Sequence, residues 1–148
     1  MLRRSFLWLG MIPAVRVAHA QKQAQPQPQE PAADPGPAGI TPVTGHAAKD
    51  SAPARAFSAL LQAAARDDFA AMRPMLVDGH PGLRLLNPQS FSEVRAELLP
   101  NGAAPPAVMA TLSSLYLQND EATLVFDGDD GQTIWKMKRV SGVWKLAP

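Results

Sequence analysis

No cysteine occurs anywhere in the sequence. That absence excludes a disulfide framework, a thiol nucleophile and a lipid attached to a cysteine at a cleavage site. Histidine is scarce too, with only His19, His46 and His80. A zinc site needs three or four convergent ligands, so no metal site is expected, and nothing calls for a cofactor. There is no Gly-x-Ser-x-Gly elbow and no phosphate-binding glycine-rich loop, which leaves no catalytic residue to assign from motif alone. Nor does any apolar run approach the roughly twenty residues of a permanent bilayer span. No transmembrane anchor is therefore expected.

What is present begins with an address. Arg3 and Arg4 precede an apolar stretch from Phe6 to Val15, and Ala18-His19-Ala20 places small residues where a signal peptidase cuts. Residues 1–20 read as a signal peptide, with Gln21 as the new N-terminus. Arg3-Arg4-Ser5-Phe6-Leu7 resembles the twin-arginine export motif. An ordinary secretory signal stays open beside it. Either route implies a bacterial protein that is periplasmic or secreted. Cleavage would remove Arg3, Arg4 and Arg16, lowering the cations from 14 to 11 against 13 acids and leaving a formal charge of −2. Such a balance gives no electrostatic reason to expect nucleic acid as a partner.

Residues 21–49 form a Pro/Gln/Ala-rich stretch in which Gln21, Gln23, Gln25, Gln27 and Gln29 alternate with small residues or proline. So little large apolar surface cannot offset the entropy of ordering, and a disordered spacer is predicted. From Asp50 the pattern changes, and residues 50–148 read as one α+β domain.

Asp50 or Ser51 is the expected cap of a helix carrying Phe57, Leu60, Leu61 and Ala64 on one stripe. Asp68 caps a short second helix limited by Pro74. Ser90-Phe91-Ser92-Glu93 matches a capping box ahead of a third, with Phe91, Val94 and Leu98 inward. Residues 105–115 fit helix or strand equally. Four strands follow, roughly 115–118, 122–126, 133–140 and 143–147. A two-residue turn at Ser141-Gly142 sets Val140 opposite Val143 and Met137 opposite Leu146. One face then collects Trp135, Met137, Trp144 and Leu146 with Arg139 at its rim, and the other collects Lys136, Lys138 and Lys145.

Several residues invite chemistry. His80 lies in Asp78-Gly79-His80-Pro81-Gly82, read as a surface turn rather than as the home of a catalytic base. Asp127-Gly128-Asp129-Asp130-Gly131 fails the calcium-loop count and reads as a hairpin turn. Asp67 and Asp68 point to different sides of a helix, so one serves as a cap and the other is solvated. Trp135 and Trp144 are candidates to line a pocket, with Arg139 stacking on an aromatic ring or pairing a carboxylate.

The order of elements, closing on Ile134-Trp135-Lys136-Met137 and Gly142-Val143-Trp144-Lys145-Leu146, resembles small exported members of the nuclear transport factor 2-like superfamily. The resemblance implies a cone-like fold, helices packed on a curved antiparallel sheet around an apolar pocket, with sheets that can pair in a homodimer. It adds Tyr116 as a candidate pocket residue, to which the sequence alone assigns no acid. The resulting expectation is a non-catalytic domain that binds a small apolar ligand or a protein partner. The alternative is a small isomerase, cyclase or hydrolase acting on an apolar substrate.

Overall fold

A computed structural model describes residues 39–148. The export-signal residues Arg3, Arg4, Ala18 and Ala20, and most of the expected spacer, lie outside the described residues. The fold is α+β, with helices packed on a five-stranded antiparallel sheet whose strands follow one another in chain order.

The compositional boundary at Asp50 falls inside the folded unit. A short strand β1 (Val43–Thr44) pairs with Leu115 and Ser114, and helix α1 (Gly45–Lys49) follows it directly. Ala48 is fully buried. His46, assigned to the spacer on composition, sits in α1, where its carbonyl accepts the Asp50 N–H.

Helix α2 (Ala52–Ala65) is built from alanine and leucine, which lose little freedom in a helix. The Ser51 hydroxyl oxygen accepts the Ala54 N–H at 3.3 Å, and Pro53 occupies the first turn, where no donor is needed. Phe57, Leu60, Leu61 and Ala64 form its fully buried stripe. Asp67 ends the run at φ 54°, and Asp68 caps α3 (Phe69–Met72) by accepting the Ala71 N–H at 3.0 Å. Asp67 does more than face solvent: it pairs with Arg95 at 3.0 Å, linking the end of α2 to α4 (Phe91–Leu98).

The capping box predicted for α4 is absent, since the Ser90 side chain makes no capping bond. Asn87 does the work upstream, its Oδ1 accepting the N–H groups of Gln89 and Ser90 at 3.1 and 3.2 Å. An Asn before Pro88 favours this local turn, which fixes the chain before the serine can act. The ambiguous stretch divides into helix α5 (Pro105–Ala110) and the start of strand β2 (Leu112–Gln118).

Strands β2, β3 (Glu121–Gly128), β4 (Gly131–Val140) and β5 (Val143–Ala147) run longer at several ends than their patterns suggested. A bulge in β2 explains one shortfall. Leu112 and Leu115 are three residues apart, so simple alternation would send them to opposite faces. Their partners Phe126 and Leu124 are only two apart, because the register shifts between Leu112 and Ser114. The extra residue lets both leucines enter the core. The last hairpin has the predicted register, from Val140 opposite Val143 to Met137 opposite Leu146. Ser141 and Gly142 both take positive φ, the conformation that a two-residue hairpin turn of this twist requires.

Helices and sheet meet in one apolar core. Phe57 packs against Phe126 and Trp135 at centroid distances of 5.3 and 5.6 Å. Beyond the helices, the chain returns to the sheet at Leu76, which bridges Leu146 in parallel, and the Val77 N–H donates to the Leu146 carbonyl at 2.9 Å. That contact covers part of the β5 edge.

Candidate functional site

Where the Leu76–Leu86 segment leaves β5, it stands off from the sheet and encloses a cleft of about 370 Å³. Leu60 of α2, Met72 of α3, and Val94 and Leu98 of α4 form one side, while Trp135 and Leu146 form the other. The volume lies within the range of small-molecule sites, and most of the lining is aliphatic or aromatic. A second cleft of about 330 Å³ lies next to the first, lined by Asn101, Thr111 and the Asp127–Gly131 turn. Glu97, Leu98 and Trp135 border both, so they act as the partition.

His80 is the titratable ring in the larger cleft. Its Nδ1 accepts the Gly82 N–H at 2.9 Å, and it also hydrogen-bonds the backbone of Ala147. An imidazole that accepts at Nδ1 carries its neutral-state proton on Nε2, which suits donation to the Ala147 carbonyl. Burial lowers its pKa below 6.5, opposed by the Ala147 bond and the nearby Glu97 carboxylate. The ring is therefore neutral at neutral pH. Gly82 makes this placement feasible, because a Cβ there would come within 3.0 Å of His80 Nδ1 and 3.3 Å of a Leu76 methyl carbon.

The turn reading holds for the backbone at Asp78 and Gly79, whereas Pro81 and Gly82 open a 3-10 helix, and it misses the His80 side chain, which enters the cleft. The sequence carries one usable signal, a histidine two residues before a glycine and flanked by Leu76, Leu83, Leu85 and Leu86.

The four predicted binding residues do not gather. Trp135 lines both clefts. Trp144 and Arg139 lie toward the hairpin turn, the guanidinium 5.8 Å from the indole centroid. Arg139 is held there by Asp120, at 2.7 Å from both Nε and Nη2. Arg139 thus stacks on an aromatic ring and also pairs a carboxylate, away from the cleft. Tyr116 is buried on the face of β2 opposite Leu115 and borders neither cleft.

Among the described residues, no group of three or more His, Asp or Glu side chains is arranged to hold a metal ion. No helix among them is long and apolar enough to cross a membrane. Compared with known protein families, curated proteins and solved structures, the chain matches none.

Proposed function

We propose that this chain is an exported bacterial domain that binds a small apolar ligand in the cleft between Trp135 and the Leu76–Leu86 segment. The observation that carries this reading is the lining: an open cleft walled by Leu60, Met72, Val94, Leu98, Trp135 and Leu146, with one imidazole at its side. Apolar walls supply affinity through the area they remove from water, and the few polar side chains among them, His80, Glu97 and Lys136, supply orientation. The cone-like fold of the nuclear transport factor 2-like superfamily, with its pocket between helices and sheet, belongs to the same reading.

Catalysis by an isomerase, cyclase or hydrolase has weaker support. Tyr116 borders neither of the two adjoining clefts, and His80 has its Nδ1 occupied by Gly82 and a second bond to Ala147. A general base needs a free lone pair within reach of the proton it takes. The bonds on His80 hold a wall in place instead.

The test is a titration of the chain beginning at Gln21 with an anilinonaphthalene sulfonate probe and with a medium-chain fatty acid. Saturable binding is expected, with a change in tryptophan emission that disappears in Trp135→Phe. Filling the cleft with Val94→Trp should abolish binding while far-UV circular dichroism stays unchanged. Binding that survives both substitutions would place the ligand elsewhere and end this proposal.

A further inference from the structure

The side chains of Trp135, Met137, Trp144 and Leu146 pack into or against the core, so alternation turns their neighbours outward. The outward strip of the last hairpin therefore reads Ile134, Lys136, Lys138 and Val140 on β4, with Val143 and Lys145 on β5. Among the described residues, four large apolar side chains are strongly exposed, and three of them, Ile134, Val140 and Val143, fall on this strip. Val143 is 57% exposed, whereas Val125, on the same face but one strand inward, is 1% exposed. Isolated exposed aliphatics need no explanation. Three on one hairpin face do.

The cations sharpen the point. Lys138 sits directly opposite Lys145, an arrangement that costs stability. Glu121 faces Lys138 from β3, yet the ion pairs among the described residues, Arg95–Asp67 and Arg139–Asp120, include no lysine. A face that alternates unpaired ammonium groups with exposed aliphatics is complementary to carboxylates set around an aliphatic patch. We infer that the outward face of the β4–β5 hairpin is a docking surface for a protein partner of that chemistry. Acids bound the strip at both ends, Asp129 and Asp130 in the turn before β4 and Asp120 beside Arg139. A flat anionic bilayer would meet them along with the lysines, while a protein contact of limited footprint avoids them.

Ile134 and Lys136 also reach the rim of the cleft, so the decisive substitutions are Lys138→Glu with Lys145→Glu, and separately Val143→Ser, none of which borders it. This surface stands whether or not the cleft binds a ligand. The full chain would be titrated with a short peptide of alternating glutamate and leucine and followed by amide chemical shifts. Saturable shifts confined to β4 and β5 are expected. Affinity should fall about tenfold between low and physiological salt, as screening of exposed charges dictates. Binding should vanish in the double charge reversal and weaken in Val143→Ser. The inference is overturned by no saturable shift at millimolar peptide, or by binding that the charge reversal leaves intact. It is equally overturned by preferential binding to phosphatidylglycerol vesicles, or by a sedimenting dimer that Val143→Ser dissolves.

Discussion

The β2–β5 meander and the Leu76–Ala104 segment line the same cleft and are made by opposite means. The meander is local and regular: each strand pairs with the next, every turn is short, and the ladder satisfies its backbone groups. The segment opposite is a series of short pieces, 3-10 turns at Pro81–Leu85 and Pro100–Gly102 around α4, pinned by local side-chain bonds from His80 and Asn87. A cleft forms because one wall is stiff and the other does not follow its contour. Regular structure supplies the platform, and irregular structure supplies the recess.

Matched truncations probe this contrast most strongly. Leu124→Ala in the centre of the sheet should cost about 4 kcal/mol, and Leu86→Ala in the irregular wall about 2 kcal/mol, because the latter site collapses more readily. Urea denaturation of both variants measures the gap, and equal losses would show the two walls to be equally rigid.

Next in size is Gly82→Ala, where the new methyl group must displace the His80 ring or Leu76. A loss of about 1 kcal/mol is expected, comparable to one hydrogen bond, together with a shifted His80 resonance in an imidazole-detected NMR spectrum. An unmoved ring would show that the wall gives way elsewhere.

The third prediction is the pH dependence of the soft wall. Because the folded-state pKa of His80 lies below 6.5, the unfolded chain takes up its proton first as pH falls. This contribution to stability is full above pH about 6.5, declines below it, and levels off once the folded-state pKa is passed. His80→Asn keeps an acceptor for the Gly82 N–H without titrating, so its urea midpoint should vary less between pH 7 and pH 5. An equally steep profile in that variant would assign the dependence to other groups.

The smallest effect belongs to the stiff wall. Asp120→Asn breaks an exposed ion pair, and about 0.5 kcal/mol is expected because solvent screens it. A loss several times larger would mean that Arg139 clamps the two hairpins together through Trp144.

What was legible in the sequence follows the same division. The register of the last hairpin was readable residue by residue, since period-two alternation and a Ser-Gly turn both constrain it. Helix α2 and the Asp68 cap were readable for equally local reasons. The β2 bulge hid the start of its strand, because Leu112 and Leu115 break the alternation that marks one. The start of the domain was hidden too, since β1 and α1 have weak composition and are held by pairing with β2. The cleft was the least visible feature. His80 is held in it by hydrogen bonds with Gly82 and Ala147, the second of which lies far along the chain, so no window of sequence contains both. The aromatic residues that drew attention were conspicuous by type, and only Trp135 proved to stand at the recess.

The Val77–Leu146 hydrogen bond carries a consequence for biosynthesis. A ribosome-bound chain can assemble α2 and even the β2–β3 hairpin early, but the wall holding His80 lacks its anchor on β5 until Leu146 has emerged. The recess is thus the last part of the domain to acquire its shape, and a stalled or truncated product would display its apolar lining to the cell's quality-control machinery.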